Sequence, residues 1–112
     1  MKELIITALV FILLDIVSGV TAACKNKELR SSAMREGLYH KAAEIILIAV
    51  GAASQYAISM TELNGMIPDA IFNSVSVYVI LMELVSILEN VSKVNPDLKI
   101  GTLLSMFGKK EQ

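Results

Sequence analysis

Three runs of apolar residues, Leu4–Ala23, Ala42–Met60 and Ala70–Leu88, are separated by short polar stretches, and each run carries one carboxylate: Asp15, Glu44 and Glu83. The runs are 20, 19 and 19 residues long. About 20 helical residues cross the roughly 30 Å hydrocarbon core of a bilayer, so the pattern predicts three transmembrane helices. Leu4–Ala23 contains twelve Leu, Ile, Val or Phe residues. At roughly −0.3 to −0.6 kcal/mol each, these outweigh the cost of about 3 kcal/mol for a central Asp. At 100° per residue, Ala8, Phe11, Asp15, Ser18, Gly19 and Ala22 share one face, opposite Ile6, Leu9, Leu13, Ile16, Val17 and Val20. In the second run Glu44, Gly51 and Gln55 fall together, with Ser54 at the edge. In the third, Ser76, Glu83 and Asn90 recur every seven residues, flanked by Asn73 and Ser86, while Tyr78, Leu81, Val85 and Leu88 point away.

Such stripes have a physical reading. Small residues let helix backbones approach, and polar side chains in hydrocarbon need partners on other helices or water. Asp15, Ser18, Gly19, Glu44, Gly51, Gln55, Ser76, Glu83 and Asn90 are therefore candidate residues of a helix–helix interface or of a pore wall. Either the acids are buried, protonated or paired with a basic residue of Cys24–Lys41, or they face water. With no Lys or Arg between Lys41 and Lys93, three acids without a base inside the membrane favour contact with other copies or with water.

The connections set an orientation. Cys24–Lys41 carries Lys25, Lys27, Arg30, Arg35 and Lys41 against Glu28 and Glu36, a net +3, and the positive-inside rule places it in the cytoplasm. Thr61–Asp69 carries only Glu62 and Asp69. Asn64-Gly65 is a turn signal there, and Pro68 and Asp69 suit the first turn of the next helix. Three spans then leave the N-terminus outside and the C-terminus inside. In the tail, Glu89–Gln112, residues Ile100, Leu103, Leu104, Met106 and Phe107 gather on one side of a helix begun after Pro96, and that short segment can lie in the membrane interface.

Composition narrows the function. A net charge of −1 argues against nucleic acid as a partner. The single cysteine, Cys24, cannot close an internal disulfide, and the single histidine, His40, has no ligand-spaced companion. Ser31-Ser32 has no base nearby in sequence, and no glycine-rich phosphate loop occurs, so no enzyme, cofactor or metal is expected. "TAAC" at 21–24 resembles the end of a lipoprotein signal peptide, but cleavage there would put the most basic stretch outside and Asp15 in the signal core. We read all 112 residues as one all-α membrane domain.

The ordered set "DIVSGVTAACKNKELRSSAMREGLYHKAAE" and "ELVSILENVSKVNPDL" resembles the bacteriophage holin family, which includes holins of toxin secretion. Its marks are Asp15 with Ser18-Gly19, Ala23, the basic stretch with Ser31-Ser32 and Gly37, Lys41 opening the second span, and Glu83, Ser86, Ile87, Glu89 and Asn90. The chain departs from the pattern at Asn95-Pro96, where relatives often have a glycine-containing turn, and its tail is short. The resemblance implies a small protein of the host's inner membrane that oligomerises and permeabilises it, releasing an endolysin or toxin. Within it, Asp15, Gly19, Glu83, Glu89 and Asn90 are the positions that match. Two other functions suit the same residues: a narrow ion or proton channel using Asp15 and Glu83, and a structural subunit whose stripes only pack. Lipids and further copies of the chain are the expected partners.

Overall fold

The computed structural model describes residues 2–63 and 70–98, which form three α-helices: α1 (Lys2–Lys25), α2 (Ser31–Ser59) and α3 (Ala70–Val94). At 1.5 Å per residue they are about 36, 43 and 37 Å long, sufficient to cross a bilayer. All three are apolar enough to do so, with mean hydropathies of 2.5, 1.5 and 2.0 over their most apolar windows. The chain is an all-α membrane protein with three spans. Asn64-Gly65, Pro68, Asp69 and the proposed interfacial helix of the tail lie outside the described residues.

α3 is the central helix. It packs along α1 and against α2, while α1 and α2 barely meet each other. The C-terminal ends of α1 and α3 lie together, where the Lys25 ammonium donates to the Val94 carbonyl; a cation there offsets the negative end of the α3 dipole. α2 runs the opposite way, with Gln55 near its C-terminus beside Phe72 in the first turn of α3. The apolar core is Ala8 and Ile12 of α1, Ile48 of α2, and Phe72 and Val79 of α3. The outward faces are aliphatic, with Ile6, Leu9, Leu13, Val17 and Val20 of α1 exposed as the periodicity predicts, together with Tyr78 and Leu81 of α3, whereas Ile16, expected on the same face of α1, is half-buried against the core. Thr7 and Thr21, also on the surface, donate to the carbonyls of Glu3 and Val17, so neither hydroxyl needs water.

Three boundaries differ from the hydropathy reading. Asn73 is exposed, because the buried strip of α3 runs through Phe72, Ser76, Val79 and Glu83, and Val85 and Leu88 are half-buried, because α3 is covered on two sides. The helix at Glu89 continues to Val94, so the first residues assigned to the tail belong to α3. The largest difference is at the basic connection, which is short. α1 ends in a Schellman arrangement: Glu28 N–H bonds to Ala23 O at 2.8 Å, Lys27 N–H bonds to Cys24 O, and Lys27 takes a left-handed φ of 56°. The chain re-enters helix at Ser31, so Arg35 and Lys41 are residues of α2 and not of a loop.

Candidate functional site

Helical continuation through Lys41 carries its ammonium into the interior. The Nζ atom lies 2.7 Å from each Glu83 oxygen and is also hydrogen-bonded and ion-paired to Asp15 Oδ2. Glu44, one turn further along α2, has Oε1 at 3.6 Å from the same nitrogen. One carboxylate from each helix thus converges on a single cation near the middle of α1 and α3. Glu83 is 1% exposed, Asp15 6% and Glu44 8%. The expectation that the acids lack an intramembrane base is therefore corrected: Lys41 is that base. Its position at the edge of the second apolar run hid this, since a lysine stem spans several ångströms along a helix face before its charge is placed. Neutralisation is incomplete, because one ammonium meets three acids and Glu44 Oε1 is buried with no hydrogen-bond partner among the described residues.

A second polar layer joins α1 to α3 one turn nearer the basic end. Asn90 Nδ2 donates to Asp15 Oδ1 at 2.9 Å and to Ser18 Oγ at 3.2 Å, and Ser18 in turn donates to the Asp15 carbonyl at 3.1 Å. Gly19 makes this approach possible: a Cβ on it would sit 3.4 Å from Asn90 Nδ2. Alanine should fit with a small adjustment. Gly19→Leu must push α1 away from α3 and break the Asn90–Asp15 bond, at about 1–3 kcal/mol for overpacking. Thermal aggregation of detergent-purified protein should show the leucine variant melting well below the alanine one, and equal melting would place this face elsewhere.

A third layer lies towards the other end. Gln55 Oε1 accepts from Phe72 N–H at 3.4 Å, meeting one of the free amides of the first turn of α3. A Cβ on Gly51 would touch Val75 at 3.4–3.5 Å, so this glycine sets the α2–α3 spacing. Ser76 is fully buried, and its hydroxyl has no partner among the described residues. All nine stripe residues, Asp15, Ser18, Gly19, Glu44, Gly51, Gln55, Ser76, Glu83 and Asn90, are buried or half-buried between helices of one chain. Of the basic residues, Lys41 joins them, whereas Lys25, Lys27, Arg30 and Arg35 are exposed.

Two clefts reach the ionic cluster. One, of about 590 Å³, opens between α2 and α3 beside His40, Glu44, Glu83 and Glu89. The other, of about 280 Å³, opens between the end of α1 and the start of α2. The cluster is thus covered by side chains but not sealed. Ser86, which lines both clefts, was visible in sequence as a flank of the α3 stripe and as one of the marks of the family resemblance.

Residues 1–108 match the family model of the bacteriophage holin family. No curated protein and no solved structure matches the chain.

Proposed function

From the premise that the chain belongs to the bacteriophage holin family, we propose that it accumulates in the host's inner membrane, self-associates, and permeabilises that membrane so that an endolysin or toxin escapes. The observation that carries the reading is the inward-folded polar surface. Three helices with largely aliphatic exteriors hide Asp15, Glu44, Gln55 and Glu83 against one another, the three acids gathered around Lys41. In this form the protein can build up in the bilayer without conducting. Separation of α2 from α1 and α3 exposes the same groups together, and a wall carrying Asp15, Glu44 and Glu83 is wetted by water and bridged between copies. α2 is the helix suited to move, since it barely touches α1 and meets α3 over a smaller surface than α1 does.

The test is solute size. Liposomes containing only this protein should release both a small dye and a folded protein of endolysin size. Leakage of protons or potassium with both larger probes retained would favour a narrow channel and overturn the proposal.

The orientation has its own prediction. Lys25, Lys27 and Arg30 cluster at the end of the molecule that carries the exposed Cys24, which supports, by the positive-inside rule, a cytoplasmic location for that end with the N-terminus outside. A membrane-impermeant maleimide should modify Cys24 in inside-out vesicles and spare it in spheroplasts. The reverse pattern would invert the topology.

A further inference from the structure

The cleft between α1 and α2 has walls that do not suit water. From α1 it is lined by Ile16, Val20 and Ala23, and from the first three turns of α2 by Met34 and Leu38. These α2 residues are only partly covered among the described residues: Met34 is 46% exposed and Leu38 59%. Arg35, Glu36, Tyr39 and His40, which do not line this cleft, leave Ala33, Met34, Gly37, Leu38 and Lys41 as the face turned towards α1. The floor is the Asp15–Lys41 pair with Ser86 and Asn90 of α3, and Arg30 stands at the rim, on the N-cap of α2. From Arg30 to Lys41 the helix rises about 16 Å, close to one leaflet of a bilayer about 30 Å thick.

The geometry points to a seat for one acyl chain of an anionic phospholipid, with its phosphate held at the rim by Arg30 and the neighbouring Lys27. An apolar gap one leaflet deep that opens sideways between two membrane helices fills with hydrocarbon in preference to water. Charge complementarity selects the headgroup. Arg30 and Glu28 line the rim, and the exposed Lys27 beside them in the short turn between α1 and α2 leaves that turn with a positive balance. The first turn of α2 has no acidic residue, and its N-cap makes no side-chain hydrogen bond, so its amides add a positive field at the same place. Basic groups at a membrane surface attract anionic lipid by about 1 kcal/mol each, which is roughly fivefold. A lipid seated there would wedge α1 from α2 directly above Lys41. This assignment is independent of lesion formation.

The chain contains no tryptophan, which makes the test direct. Leu38→Trp places a fluorophore in the cleft, and Leu13→Trp places one on the exposed aliphatic face of α1 as a control. Each variant is reconstituted in phosphatidylcholine vesicles containing a minor fraction of acyl-brominated phosphatidylglycerol or acyl-brominated phosphatidylcholine. Quenching in the Leu38→Trp protein should favour the anionic lipid by roughly fivefold or more, and Leu13→Trp should show no preference. Adding Lys27→Gln and Arg30→Gln should abolish the preference while leaving the control unchanged. Inorganic phosphate should not relieve the quenching, because the bromines report the acyl chain. Equal quenching by the two lipids in the Leu38→Trp protein would overturn the proposal. So would loss of quenching there while Leu13→Trp remains quenched, the result expected if a second copy fills the cleft. Met34→Trp repeats the measurement should Leu38→Trp fail to insert.

Discussion

Lys41→Met is expected to destabilise the folded three-helix form by about 3–5 kcal/mol, the usual cost of removing one partner from a buried ion pair. Methionine keeps the length and apolar stem of lysine, so the packing loss is small and the charge loss dominates. Asp15 and Glu83 lose their cation, Glu44 loses its nearest one, and three carboxylates are left facing one another between helices. Taking up protons or admitting water are the routes open to them, and both loosen α2. Purified Lys41→Met should melt far below the parent in mild detergent. In cells it should accumulate poorly or permeabilise early. Adding Asp15→Asn and Glu83→Gln should recover most of the stability, because amides can hydrogen-bond to one another without a cation. A Lys41→Met protein that melts with the parent would show that the cluster does not hold the helices together.

The amide substitutions also separate the roles of the acids. Asp15→Asn preserves an acceptor for Asn90 and leaves Lys41 held by both oxygens of Glu83, so it should be mild in the closed form. Glu83→Gln removes the charge held by two oxygens and should cost more. Equal effects from the two substitutions would contradict the geometry around Lys41.

Much of this arrangement was legible in the chain because hydrocarbon is an unforgiving solvent. A carboxylate or amide inside an apolar run must point at protein or water, so helical periodicity alone placed Asp15, Ser18 and Gly19 opposite Leu9, Leu13 and Val17. The heptad spacing of Ser76, Glu83 and Asn90 worked in the same way. What periodicity could not give was the start of α2. Residues 31–41 are polar on one side and apolar on the other, so a hydropathy window discards them, and the turn before them lacks the glycine that marks a Schellman end. With that stretch read as a connection, pairing of the acids with one of its basic residues stayed one alternative among others, and Lys41 was not singled out as the partner. Val85 and Leu88 were misplaced for a different reason: a stripe drawn on one helix cannot show that neighbours cover α3 on two sides. Partner choice is a tertiary property. Gly51 facing Val75 and Gln55 facing Phe72 depend on how far α2 slides along α3, and no local pattern encodes that register.

Locking α2 to α3 should abolish release altogether. The ideal Cβ position at Gly51 lies 3.4 Å from the Val75 Cβ, near the lower edge of the roughly 3.5–4.5 Å Cβ separation of a disulfide. Gly51→Cys with Val75→Cys, in a Cys24→Ser background, is therefore expected to close a bond with little backbone movement. In the oxidised protein α2 cannot leave α3, Glu44 and Gln55 stay folded inward, and liposomes should retain both the dye and the folded reporter. Reduction removes only the covalent link, so release should return towards the level of the Cys24→Ser parent, and that recovery excludes misfolding as the cause of the block. The two readings of the polar stripes part here. If they are only the glue of a fixed three-helix unit, and copies assemble through their outer faces, the oxidised protein should release at the parental rate. If they become the wall of the lesion, the unit must open, and a single bond on the far side of Glu44 from Lys41 is enough to prevent it.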